Sequence, residues 1–179
     1  MADDRLDRAL DVYKFLVREW APKLDLVSPR DLSRFEDRHI SDSLRALPLV
    51  EECGAGPIAD VGSGAGLPGI PLAIASGRYV RLIEPRKRRA AFLEECLRRL
   101  ELPGEVLAIT AQNAADDPRY ARAHSFAVAR ALAPPERALH LILPLVAQGG
   151  IAAAYLGAGA SIPLGAEEFV PGIVIVRAE

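Results

Sequence analysis

The sequence predicts an α/β protein, a mostly parallel sheet with helices on both faces, preceded by a section built only of helices. Three observations predict it. From Ile58 onward, short apolar runs alternate with helix-like stretches, the pattern of a sheet buried on both sides. Before that point the apolar spacing is helical throughout. Between the two patterns, a glycine-rich turn joins a strand-like run to a helix-like one at Asp60–Gly69.

The helical section comes first. Leu6, Leu10, Tyr13, Val17 and Trp20 recur at helical spacing over residues 3–20, and Pro22 reads as the stop. Ser28-Pro29 reads as a cap with proline in the first turn, opening a second helix through about Asp37. Ser41 is placed to cap a third helix, through Leu44 and Leu47 to about Val50, and 53–57 is the exit loop. Strand-like runs then fall at 58–61, 79–83, 105–109, 126–129, 151–155 and 173–176. Helix-like stretches fall at 68–76, 86–100 and 135–146. Residues 168–176, with Pro171-Gly172 inside, read as a closing hairpin or two edge strands. The expected organisation is a single domain over 1–179, with a helical section at 1–52 and a ligand-binding core at 57–179.

Composition limits the partners. The chain has 179 residues, 50% hydrophobic and 26% charged, enough for one well-packed core. No apolar run is long enough to span a bilayer, and the acidic start does not read as a signal peptide. Cys53 and Cys96 form no metal or disulfide pattern, so no metal is expected and the cytoplasm is the default compartment. The formal net charge is −2, whereas proteins that grip long nucleic acids are usually basic. RNA contact would need a local patch, for which Arg86, Lys87, Arg88 and Arg89, then Arg98 and Arg99, are candidates. The plainer alternative is a solvated helix face.

The turn itself points to a ligand. Gly62, Gly64, Gly66 and Gly69 allow a tight bend and close approach of a ligand to backbone. Gly64, Gly66 and Gly69 also fit the dinucleotide pattern G-x-G-x-x-G. Asp60 argues against that, because a carboxylate at the strand end repels a pyrophosphate. It suits a ligand carrying an amino group and a sulfonium, as S-adenosyl-L-methionine (SAM) does. Glu84 ends the second strand, where an acid can accept hydrogen bonds from ribose hydroxyls. Its alternative is a surface acid paired with Arg86 or Lys87. The fold expected is therefore that of a class I SAM-dependent methyltransferase, Rossmann-like.

Two motifs carry a closer resemblance. Glu36 to Leu44 reads E-D-R-H-I-S-D-S-L, and Asp60 to Leu72 reads D-V-G-S-G-A-G-L-P-G-I-P-L. Ile83-Glu84, Lys87-Arg88, Phe92-Leu93 and Arg130-Ala131 follow. From Tyr13 to about Gly150 the chain resembles the bacterial small-subunit ribosomal RNA guanine-N7 methyltransferases, also called glucose-inhibited division protein B. The resemblance implies SAM contacts at Gly62, Leu67 and Arg130. It further implies a pocket-lining segment at Gln112, Asn113 and Ala114, of which Asn113 and Ala114 can offer backbone groups to the adenine. With Asp60, Gly64 and Glu84 these complete the expected cofactor site. The chain departs from the family pattern at Asp25-Leu26-Val27, Gln112, Ala114, Ser125 and Leu156.

The implied partner is 16S rRNA or the small ribosomal subunit, met by a cytoplasmic monomer with no DNA or membrane partner. Guanine N7 carries a lone pair and no proton, so the reaction needs positioning and no general base. No catalytic side chain is assigned. His39 and Asp42 either line the substrate side or serve as helix-boundary groups. Two other functions remain open, a non-catalytic SAM- or partner-binding module and a small-molecule methyltransferase. An RNA enzyme should carry basic surface beside the cofactor, from Arg86 to Arg89 and Arg45.

Overall fold

In the computed structural model the structure describes residues 2–28, 32 and 35–179. Helix α1 (Ala2–Leu24) leads, and a π-helical turn (Phe35–Ile40) runs into the short helix α2 (Ser41–Leu44), with α3 (Leu47–Glu52) after it. The core follows as β1 (Ile58–Val61), α4 (Gly69–Ser76), β2 (Val80–Ile83), α5 (Lys87–Leu100), β3 (Gly104–Leu107), α6 (Ala111–Asp116), β4 (His124–Arg130), α7 (Pro135–Ile142), β5 (Val146–Tyr155), β6 (Glu167–Val170) and β7 (Ile173–Arg177). The seven strands lie in the order β3-β2-β1-β4-β5-β7-β6. All neighbours from β3 to β5 are parallel, and β7 runs antiparallel between β5 and β6.

Strand residues alternate between two cores, as a period of two requires. Ile58, Leu82, Phe126, Val128, Ile151 and Ala153 face α1, α4 and α5, together with Tyr13, Leu16, Ile70 and Phe92. Ala59, Val61, Ala127, Ala129, Ala152 and Ala154 face α6 and α7 with Ala114, Leu139 and Ile142. The second set is small-residue rich, which lets those helices sit close to the sheet.

Several boundaries differ from the expectation. Pro22 lies inside the last turn of α1. A proline there forfeits one internal hydrogen bond, and the helix ends instead at Asp25 (φ 51°), which donates to the Ala21 carbonyl. The expected second helix over 29–37 falls largely outside the described residues, and its end is the π-helical turn. Ser41 is not the N-cap of the third helix, because the chain is already helical at Ile40, and that helix is split into α2 and α3. Helix α6 has no counterpart in the expectation. The expected 135–146 helix stops at Ile142, and β5 begins at Val146.

Arg78 fastens the entry to the sheet. Its guanidinium donates to the carbonyls of Val50 (2.5 Å), Gly54 (2.8 Å) and Gly56 (3.0 Å), and to the Ser125 hydroxyl. Ser125, one of the departures, thus serves the loop that delivers β1. Arg78→Ala should cost about 2 kcal/mol, since hydrogen bonds from a charged donor to half-buried carbonyls would be lost. In a chain of this size that is a fall of roughly 4–8 °C in Tm. An unchanged melting curve would show that water replaces the guanidinium at no cost.

Candidate active site

The carboxyl ends of β1, β2 and β4 open on one crevice, because the strand order reverses between β1 and β4. The glycine turn forms its floor. Asp60 is fully buried, and its Oδ2 accepts the Gly69 amide at 3.1 Å. Gly69 must be glycine, because a Cβ there would come within 2.6 Å of that carboxylate. The Ser63 hydroxyl donates to the Asp60 carbonyl (2.8 Å), and the Tyr13 hydroxyl reaches from α1 to the Ala65 carbonyl (2.7 Å). Gly62 and Gly64 hold φ of 73° and 54°. A Cβ on Gly64 would meet no heavy atom closer than 3.8 Å, so that face of the turn is open.

Glu84 is buried and is not paired with a side chain of Arg86 or Lys87. Its Oε2 accepts the Gly64 amide (3.0 Å) and its Oε1 the Arg86 amide (2.9 Å). The carboxylate thereby ties the glycine turn to the start of α5. Leu67 is packed in the core on the α1 side. Thr110 caps α6 by accepting the Asn113 amide, and the Ala114 amide donates to the Thr110 carbonyl. Those two N–H groups, expected to be on offer to a ligand, are therefore committed within α6. Gln112 faces the crevice instead.

Two hollows meet at this edge of the sheet. One, of about 420 Å³, is lined by Val61, Gly62, Ile83, Pro85, Thr110, Gln112 and Arg137, among others. The other, of about 900 Å³, lies over the ends of β4 and β5 and includes Arg38, His39, Asp42, Arg45, Arg130 and Tyr155. Leu132, Ala133 and Pro134 line both. Of the expected cofactor residues, Gly62 lines the smaller hollow, and Asp60 and Glu84 lie beneath its edge. Arg130 opens to the larger one. Neither Asp60 nor Glu84 pairs with it. It pairs with Asp42 (3.3 Å), and donates to the His39 carbonyl (3.2 Å), the Ser43 hydroxyl (3.3 Å) and His39 Nδ1. Sequence reasoning missed Thr110, Leu132 and Arg137. Only Thr110 had a signal, a hydroxyl three residues ahead of the amide it caps.

The basic run divides as well. Arg88 and Arg89 donate to the carbonyls of Lys23 (3.1 Å) and Asp25 (2.8 Å) at the end of α1, while Arg86 and Lys87 stay exposed beside Lys23. Among the described residues, no cluster of His, Cys, Asp and Glu stands where it could hold a metal ion, and no helix is long and apolar enough to cross a membrane.

The strand order, the antiparallel β7 and the glycine turn over this crevice define a class I SAM-dependent methyltransferase fold. A tRNA methyltransferase from Aquifex aeolicus shares that fold, with a TM-score of 0.51 and 17% identity over 66% of this chain and 47% of its own. The chain belongs to the rRNA small subunit methyltransferase G (GidB) family, whose model matches residues 7–171. It is 42% identical over 145 residues to "Ribosomal RNA small subunit methyltransferase G" of Granulibacter bethesdensis, covering 80% of this chain and 64% of that protein. The Gluconobacter oxydans protein of the same name is 42% identical over 147 residues, 82% of this chain and 70% of that one. The chain thus spans about two thirds of the length of these relatives.

Asp60 carries the main electrostatic tension. Burial pushes its carboxyl up to about 7 from an ordinary 3.8, against the lowering effect of the Gly69 amide, and its Oδ1 has no hydrogen-bond partner. The folded protein keeps this proton up to about pH 7, whereas the unfolded chain releases it near 3.8. The folded state binds more protons through that window, so Asp60 lowers stability as pH rises from about 4 to about 7 and has no such effect below it. Asp60→Asn keeps an acceptor for Gly69 without the charge. Its stability relative to the parent should therefore grow as pH is raised from 5 to 8 in urea titrations. Parallel curves for the two proteins would mean that Asp60 is ionised throughout.

Proposed function

We propose that this protein transfers a methyl group from SAM to N7 of a guanine in 16S rRNA, the activity in its family's name. The observation that carries the reading is the pair of adjoining hollows with one shared wall, Leu132–Pro134, one over the glycine turn and one over the ends of β4 and β5. The residues fit the cofactor. The turn leaves an open face at Gly64, Glu84 is fixed where a ribose would lie, and Asp60 holds an unpartnered buried oxygen behind the turn. We assign cofactor holding to Gly62, Gly64 and Gln112, with Asp60 and Glu84 shaping the turn. Leu67 and Ala114 support the pocket from the two cores and Asn113 from within α6, while Arg130 belongs to the substrate side.

SAM supplies a methyl group on a positively charged sulfur. The protein's task is to align that methyl with N7 and exclude water, because N7 has no proton to remove. The wall at Leu132–Pro134 sets the separation between donor and acceptor. Exposed Lys23, Arg86 and Lys87 offer phosphate contacts beside the turn, consistent with an RNA partner for a chain whose net charge is −2. The same reading has the protein act as a cytoplasmic monomer, with neither DNA nor membrane as partner.

The purified protein should convert small-subunit rRNA from cells lacking this gene to its N7-methylated form, detected by mass spectrometry after nuclease mapping. Gly64→Val should weaken SAM binding more than tenfold by calorimetry. A valine at φ 54° adds about 1–3 kcal/mol of backbone strain, so the variant should still fold, with a lowered Tm. SAM binding without transfer to any rRNA would mark a non-catalytic module, and no SAM binding would reject the reading.

A further inference from the structure

The larger hollow holds a feature that methyl transfer alone does not require. Among the described residues its charged lining is Arg38, Arg45 and Arg130 with one carboxylate, Asp42, and His39 stands beside them. Asp42 is held from two sides. Its Oδ1 accepts from Arg45 Nη1 at 3.0 Å, and its Oδ2 faces Arg130 Nη1 at 3.3 Å. Both arginines are themselves fixed, Arg45 by the Pro171 carbonyl in the β6–β7 turn and Arg130 by His39 and Ser43. An ionised carboxylate has about four acceptor positions. One on each oxygen is used, and the side chain is 34% exposed toward the hollow. What remains is a rigid pair of acceptors, side by side.

Guanine matches that pair. Its Watson–Crick edge presents N1–H and the N2 amino group as adjacent donors. Adenine and cytosine place a bare acceptor nitrogen there, and uracil flanks its one N–H with carbonyl oxygens. We infer that Asp42 reads the acceptor base, receiving N1–H on one carboxylate oxygen and N2–H on the other. This inference rests on the proposed guanine methylation and names the residue that selects the base. Binding by that edge leaves N7, on the opposite edge, free to face the wall shared with the cofactor hollow. As the methyl arrives the ring becomes positive, and its N1–H becomes more acidic. The bonds to Asp42 therefore tighten in the transition state, so Asp42 acts on rate as well as selection. Asp42 is a specificity-determining residue, and its ion pairs with Arg45 and Arg130 set its position.

The test compares guanine with inosine, which lacks only the N2 amino group. Rate constants are measured on rRNA carrying either base at the methylated position, for the parent and for Asp42→Asn. A second arm titrates the cofactor-free protein with GMP, IMP and AMP by NMR. The parent should favour guanine over inosine about tenfold or more, the worth of one hydrogen bond to a charged acceptor. Asp42→Asn should lower kcat on guanine, bring the guanine-to-inosine ratio near one, and abolish the preference for GMP over IMP. Its Tm should stay near that of the parent, because the amide oxygen still accepts from Arg45. If Asp42→Asn slows guanine and inosine equally and keeps the ratio, Asp42 is only a brace and the assignment is wrong. It is also wrong if the parent distinguishes the bases in neither arm. A GMP preference lost in Asp42→Asn, with no rRNA methylated by the parent, would uphold Asp42 and reject the methyl-transfer reading instead.

Discussion

One buried contact organises this molecule, the Asp60 carboxylate against the Gly69 amide. It joins the end of β1 to the start of α4 across the turn, and so dictates that the chain between them loops outward as Gly62–Gly66. Because a buried carboxylate is costly, the contact persists only where the surroundings over-determine it. Tyr13 from α1 holds Ala65, Ser63 closes back on the Asp60 carbonyl, and Glu84 clamps the Gly64 amide from β2. The helical section is thus more than a cover. Through Tyr13 it is one of three supports for the turn, which explains why α1 packs against α4 and α5 on the same face of the sheet.

The arginines show how an acidic chain can carry basic runs without a uniformly basic surface. Arg78, Arg88 and Arg89 all donate to backbone carbonyls near helix ends or in loops. A guanidinium suits this work because its five donors can satisfy several carbonyls at once. Arg81 does similar work with Glu105 (2.6 Å) and His124, whose Nδ1 donates to the Leu145 carbonyl (2.9 Å). Burial lowers the pKa of His124, which therefore stays neutral and can accept from Arg81. Counting positive charge in the sequence overstates what is left free on the surface.

The parallel strands were legible because they are buried on both faces, so they read as apolar runs bounded by turns. Ile58–Val61 matched the run residue for residue. Strand β5 was placed late, at Ile151, because Gln148-Gly149-Gly150 interrupts its apolar run. In the structure Gly149 takes a φ of 77° inside the strand, next to a register shift against β4. Helix α6 was invisible because Ala-Gln-Asn-Ala-Ala-Asp has no apolar stripe, and it is held by the Thr110 cap and the burial of Ala111 and Ala114. In the site, Asp60 and Glu84 were legible from strand-end chemistry. The partners of Arg130 were not, since His39 and Ser43 lie 91 and 87 residues away and nothing local marks them.

That long-range pairing explains why the E-D-R-H-I-S-D-S-L segment and Arg130 belong to one device. Arg130 sits at the end of β4, in register with Tyr155 of β5, and its guanidinium lies 5.9 Å from that ring. The Tyr155 hydroxyl donates to the Ser43 carbonyl (2.8 Å), so both strand ends grip the same short helix. A charge on a strand end would be costly without partners, and the partners come from the helical section. Closing the larger hollow therefore requires the helical section and the sheet to dock first. The smaller hollow is built mostly from the core, whereas the larger one exists only once residues 39–45 are in place. Differences in this segment can reshape the larger hollow while the glycine turn keeps its form.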